Sequence, residues 1–109
     1  MKILLVCTGN TCRSSMAEGL LKKMIMESGG KHKDIEVVSA GISAINGDPP
    51  SEFAIKALEE QGIDISHNKA KQLTAKMIKE ASLILTMTSA HKNMIISIVP
   101  EAEEKTYTL

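Results

Sequence analysis

The chain has 109 residues, enough for one domain with a modest core, and its 43% hydrophobic and 24% charged content is that of an ordinary soluble globular protein. Thirteen basic side chains offset thirteen acidic ones, so no global field draws the chain to nucleic acid or to an anionic membrane, and any anion recognition has to be local. Aromatic residues make up 2%, Phe53 and Tyr107 with no tryptophan, which argues against a base-stacking surface.

The seven methionines are expected to fill part of the core that aromatics would otherwise occupy. The first apolar run, Ile3 to Cys7, is too short for the apolar region of a signal peptide, and no stretch approaches a membrane span. Two cysteines inside one loop make no disulfide framework, so a reduced, cytoplasmic setting is expected.

Lys2 to Val6 reads as a first strand. Ser15 to Ser28 reads as a helix, with Met16, Leu20 and Met24 beside Ala17, Leu21 and Ile25 as one apolar stripe. Ser15 and Glu18 have capping-box spacing, and Gly29-Gly30 ends the helix. Ile35 to Ala40 reads as a second strand, followed by a loop rich in Gly, Asn, Asp and Pro. Pro50 suits a first helical position, with Phe53, Ala54, Ala57 and Leu58 as that helix's stripe and Gly62 as its stop. A short helix is expected over Thr74 to Ala81, a third strand over Leu83 to Met87, a helix over Ser89 to Val99 closed by Pro100, and a fourth strand from Thr106 to Leu109.

Strands separated by helices imply an α/β fold: a parallel four-stranded sheet with helices on both faces, in one domain over residues 1–109. Ligands of such sheets sit beyond the carboxyl ends of the strands. Cys7 lies at one such end, and the loops after Ala40 and Met87 should open on the same edge.

There the sequence reads Cys7-Thr8-Gly9-Asn10-Thr11-Cys12-Arg13-Ser14. A cysteine six residues before an arginine, on a turn between strand and helix, is what thiolate-based phosphate transfer requires. The turn's N–H groups and the helix N-terminus favour an oxyanion, and Arg13 can grip two phosphate oxygens at once. The same positive field favours the thiolate of Cys7, the reactive form of a thiol. Gly9 allows tight turning and Asn10 tolerates a positive φ. The plainer alternative is a buried structural cysteine beside a helix-capping loop.

This segment resembles the phosphate-binding loop of the low-molecular-weight protein tyrosine phosphatase family, which includes bacterial protein arginine phosphatases. The resemblance extends to Ser39-Ala40-Gly41, to residues 62–67 (Gly62 to His67) and to residues 81–88 (Ala81 to Thr88), so it covers essentially the whole chain. It implies a three-layer αβα fold and a two-step hydrolysis of phosphorylated proteins, with no metal or cofactor. Cys7 would form a cysteinyl-phosphate that water then hydrolyses. Arg13 and the N–H groups from Thr8 to Ser14, through Gly9, Asn10, Thr11 and Cys12, would hold the phosphoryl oxygens. Ser14 would hydrogen-bond the sulfur as it leaves. Asn10, Ser14, Ser39 and His67 match positions that brace the loop from below.

Thr11 bears on the substrate. Tyrosine-specific members tend to carry a branched aliphatic residue there, the arginine phosphatases a threonine whose hydroxyl can meet a guanidinium, so the resemblance leans towards phosphoarginine over phosphotyrosine. The alternative for Thr11 is a hydroxyl bonded to its own backbone. Cys12 reads either as a redox guard that pairs reversibly with Cys7 or as a small side chain filling space under the loop. His32 and His91 fit exposed helix or loop positions, and three scattered histidines lack zinc-ligand spacing.

Two departures from the family stand out. Ser15 replaces a usual proline. The family's general acid is an aspartate in a later Asp-Pro segment, followed by a terminal helix, and both lie beyond Leu109, so this chain is expected to lack the final helix and to turn over slowly. Asp48-Pro49 is a look-alike in a loop where Asp-Pro ordinarily makes a turn, which leaves the proton donor unassigned. A bared apolar sheet face would favour self-association. A thioredoxin-coupled arsenate reductase shares the loop but needs cysteines beyond Cys12, and none is present. A non-catalytic phosphate- or phosphoprotein-binding module is the alternative from another class.

Overall fold

A computed structural model describes residues 1–29 and 34–108. The elements run β1 (Lys2–Cys7), α1 (Arg13–Glu27), β2 (Glu36–Gly41), α2 (Glu52–Glu59), α3 (Ala75–Glu80), β3 (Leu83–Thr86), α4 (Ser89–Ile98), a 3-10 turn (Pro100–Lys105) and β4 (Thr106–Thr108). All strand pairs are parallel, in the order β2-β1-β3-β4. The expected three-layer α/β architecture with a four-stranded parallel sheet is what forms. His32, Gly30 and Leu109, to which the sequence reading gave roles, lie outside the described residues.

β1 is a central strand, and its unbroken apolar run Ile3 to Val6 is buried on both faces. Leu4 and Val6 pack with Ala40, Ile78, Ile84, Ile95, Val99 and Ala102 on the side of α3 and α4. Ile3, Leu5 and Val37 pack on the other side against Ala17, Leu21 and Ile25 of α1. Each such side chain taken from water contributes about 1.5–3 kcal/mol, which fixes β1 as the axis of the fold. Register sets Cys7 opposite Gly41 and Val6 opposite Thr86, so the ends of three strands open on one edge.

Several local expectations need correction. The apolar stripe of α1 is narrower than its periodicity suggests, since Leu20 and Met24 face solvent. The buried residues of this helix are Ser14, Ser15, Glu18 and Gly19, because the helix turns its small and polar face towards the loop it follows and towards α2. Gly19 lets α2 and the turn after it approach: a Cβ there would stand 2.8 Å from both Leu58 and Ile65. Ser15 is therefore inside the helix, not its cap, and the Ser15–Glu18 capping box does not form; the helix starts at Arg13 behind Cys12. Pro50 precedes the true cap of α2, Ser51, whose side chain accepts from the Ala54 N–H at 3.1 Å. Phe53 is 70% exposed rather than in that helix's stripe. Of the methionines, Met16 and Met77 pack against buried clusters, while Met1, Met24, Met26 and Met94 are exposed. The core volume comes from Leu, Ile and Val instead. No described helix is long and apolar enough to cross a membrane.

Candidate active site

The end of β1 turns sharply because Asn10 adopts a left-handed backbone, φ 58°. The turn is tied down on all sides. Ile42 N–H donates to Cys7 O and Ser43 N–H to Thr8 O, both at 2.9 Å, and Ser51 N–H donates to Thr11 O at 2.8 Å. The end of β2 can lie this close because Gly41 has no side chain. A Cβ there would stand 2.5 Å from Thr8 O and 2.9 Å from the Asn10 nitrogen.

Beneath the turn, hydrogen directions follow from one fixed donor. Lys71 N–H donates to Asn10 Oδ1 at 2.9 Å, which sets the orientation of the carboxamide. Asn10 Nδ2 then gives its two hydrogens to Ser14 Oγ and Ser39 Oγ, each at 2.8 Å. Ser39 passes its own hydrogen to Glu18 Oε1. The hydrogen of Ser14 is left for Cys7 Sγ, 2.9 Å away, and Asn10 N–H donates to the same sulfur at 3.2 Å. Two donors converge on Sγ, an arrangement that stabilises negative charge there. The carboxylate of Glu18, 7% exposed, holds the far end of the chain and is itself paired with Lys22 Nζ at 2.5 Å.

Above the turn lies a cleft of about 280 Å³ lined by residues 7–13 (Cys7 to Arg13) and His91. α1 has no side-chain cap bond and no acid in its first turn, so its positive end faces the cleft uncompensated. Arg13 is the first helical residue, is exposed, and has no ion-pair partner among the described residues. The Thr11 hydroxyl likewise makes no hydrogen bond among them, so the self-bonded alternative is not what forms. Cys7 is buried and Cys12 half-buried; both are free thiols. Cys12 packs against Ala54, Leu58 and Ile65, the space-filling reading of its side chain.

Two histidines are not where the sequence reading put them. His67 belongs to an exposed turn rather than to the brace. In that turn Ser66 donates to Asp64 Oδ1 from both its hydroxyl, at 2.6 Å, and its backbone N–H, at 2.9 Å. Those bonds hold the Asp64 carboxyl below its usual value and aim the turn at solvent. Glu18 occupies the brace position instead. His91 was expected to be exposed, yet it is buried, because Thr88 caps α4 and turns the first helical coil into the cleft; Thr88 Oγ1 accepts from His91 N–H at 3.2 Å. Sequence reasoning missed both Glu18 and His91. Ser14 and Glu18 stand four apart on one helical face, a signal that the apolar count passed over. Asp48 takes part in a turn, its N–H donating to Ile45 O at 3.1 Å and its carbonyl accepting from Ala70 N–H at 2.7 Å; it does not line the cleft.

A buried sulfur under two donors, beneath an uncapped helix start and an arginine without an ion-pair partner among the described residues, forms a cleft at the carboxyl edge of a parallel sheet that can hold an oxyanion against a thiol. The profile of the family described as low molecular weight phosphotyrosine protein phosphatase matches residues 2–109, and the chain belongs to that family. It is 44% identical over 108 residues to a protein-arginine-phosphatase of Geobacillus stearothermophilus, covering 99% of this chain and 68% of that one. It is 42% identical over 98 residues to a probable low molecular weight protein-tyrosine-phosphatase, EpsP, of Ralstonia nicotianae, covering 90% and 63%. The chain thus spans about two thirds of the length of these relatives. Among solved structures it resembles a low molecular weight protein tyrosine phosphatase from T. tengcongensis, with TM-score 0.91, 44% identity, and 99% and 72% of the two chains covered. It also resembles the YwlE arginine phosphatase as a cysteine-to-serine mutant with a phosphorylated active-site serine, with TM-score 0.90, 37% identity, and 99% and 68% covered.

Proposed function

We propose that this chain is a protein phosphatase that transfers a phosphoryl group from a protein side chain to Cys7 and then to water, with phosphoarginine preferred over phosphotyrosine. One observation carries the reading: Cys7 Sγ receives hydrogen bonds from Ser14 Oγ and from Asn10 N–H at the floor of an anion cleft. In the first step the sulfur lone pair attacks phosphorus, the bond to the protein nitrogen or oxygen breaks, and the leaving group takes up a proton. In the second, water attacks the cysteinyl-phosphate, and the departing thiolate is met by the same two donors. Arg13 clamps two equatorial oxygens, and the N–H groups from Thr8 to Ser14 cradle the rest.

The phosphoarginine preference rests on the free Thr11 hydroxyl beside the cleft, which suits a guanidinium better than an aryl ring. That two kinds of relative appear, named for arginine and for tyrosine, makes the comparison of substrates the informative experiment. Brief exposure to a phosphoarginine peptide, followed by acid quench, should trap one phosphate per chain on Cys7. A non-catalytic binding module would give neither this adduct nor a burst of product. Thr11→Ile should lower phosphoarginine turnover relative to phosphotyrosine turnover; an unchanged ratio would sink the assignment of preference while leaving the phosphatase reading intact.

A further inference from the structure

The catalytic reading gives no role to two groups on the cleft wall, the Thr8 hydroxyl and the His91 imidazole. His91 Nε2 lies 3.0 Å from Thr8 Oγ1. His91 is 8% exposed, and its Nδ1 is buried with no partner among the described residues. A buried nitrogen with nothing to donate to is better left with its lone pair than with a hydrogen, since an orphaned donor forfeits its whole hydration. The hydrogen of a neutral imidazole then sits on Nε2 and is donated to Thr8 Oγ1. Thr8 thereby spends an acceptor position on His91 and keeps its own O–H hydrogen.

We propose that His91 is a positioning residue, which as the neutral Nε2–H tautomer fixes the Thr8 hydroxyl as a donor to a non-bridging oxygen of the bound phosphoryl group. The inference rests on the phosphate-cleft reading above and adds to it a hydroxyl donor set from α4, the far side of the sheet's carboxyl edge. His91 itself moves no proton in this role. A cationic imidazole would need an acceptor for Nδ1–H, and none faces it among the described residues.

The test is inorganic phosphate titrated into the 109-residue chain, followed by calorimetry, in a cycle of His91→Phe, Thr8→Val and the double variant. His91→Phe should weaken phosphate about three- to tenfold, the equivalent of one oriented hydrogen bond. In the Thr8→Val background the same substitution should have almost no further effect, because the two act as one unit. His91→Gln retains an N–H donor and should stay within about twofold of the parent, by the same hydrogen-bond reasoning. An undiminished His91→Phe effect on top of Thr8→Val overturns the proposal, because a structural role of the ring does not run through Thr8. If His91→Phe fails to fold, the imidazole nitrogen resonances of the parent decide: the Nε2–H tautomer supports the proposal and the Nδ1–H tautomer overturns it. Absence of phosphate binding by the parent chain would bring down the phosphate-cleft reading and this inference together, whereas binding without coupling removes the inference alone.

Discussion

Asn10 should be the residue whose loss costs the fold and the site most. It is 4% exposed, and its carboxamide makes three hydrogen bonds, to Lys71 N–H, Ser14 Oγ and Ser39 Oγ. At about 1 kcal/mol each, Asn10→Ala forfeits roughly 3 kcal/mol and leaves the Lys71 N–H without its partner. Alanine must also hold φ at 58°, which costs about 1 kcal/mol more. Asn10→Gly loses the same three bonds but accepts the backbone, so it should lie above alanine by about 0.5–1 kcal/mol once its larger unfolded-state entropy is counted. Urea denaturation followed by circular dichroism reads both values. Activity on an aryl phosphate should show kcat falling more than KM rises in each variant, since Ser14 loses what aims its hydrogen at Cys7. If Asn10→Ala unfolds within 0.5 kcal/mol of the parent (about half of one such bond), the carboxamide does not hold the loop and the hydrogen-direction argument fails.

Gly41→Ala places a methyl 2.5 Å from Thr8 O, in backbone that cannot swing aside, so it should destabilise by about 1–3 kcal/mol and weaken phosphate binding; a variant that binds phosphate like the parent would show that the loop moves freely. Glu18→Ala leaves the Ser39 hydroxyl hydrogen without an acceptor under the loop and should cost about 1–3 kcal/mol in urea unfolding. Lys22→Ala removes only the half-exposed partner of Glu18 and should cost about 1 kcal/mol or less, so equal losses would contradict the assignment of Glu18 to the brace. Asp64 is held below its usual 3.8 by Ser66, so its bonds favour the folded state at and above that pH and the advantage disappears as pH falls through the lowered value. Asp64→Asn should therefore lose that small advantage at neutral pH, leave stability at the acid end nearly unchanged and so flatten the acid limb of the stability curve; an unaltered acid limb would refute that account.

The sheet was legible because its signal is carried by long apolar runs. The two strands expected over Lys2 to Val6 and Ile35 to Ala40, separated by a helix-length segment, form over Lys2–Cys7 and Glu36–Gly41, so the first gains one residue at its end and the second shifts by one. The faces of the helices were harder. In α1 the buried positions Ser14 and Glu18 read as solvent-facing by polarity, yet they sit under the loop, where burial is compensated by hydrogen bonds rather than by hydrocarbon contact, while Gly19 is buried as the point of close approach to Leu58 and Ile65. Periodicity of apolar residues measures the second kind of burial only. Phe53 is the mirror case: an aromatic expected in the stripe stands exposed because Ala54 and Leu58 already fill the contact with Ile65.

The same distinction governs what could be read of the site. Cys7, Arg13 and the turn residues were visible because their chemistry resides in a contiguous string whose spacing is itself the signal. His91 and Lys71 each reach that string through a single hydrogen bond, to Thr8 83 residues away and to Asn10 61 residues away, while Glu18 reaches it only through Ser39, 21 residues from it, and no local pattern announces such partners. What the sequence does carry is the requirement that they exist: a buried Asn10 at positive φ brings one acceptor and two donors that a dry interior will not leave unpaired. Counting those unmet groups calls for a backbone donor, two hydroxyls and, beyond the second hydroxyl, an acceptor of its hydrogen. Glu18 is the buried carboxylate that answers the last of these, which is why its charge, costly anywhere else inside the protein, is retained under the loop.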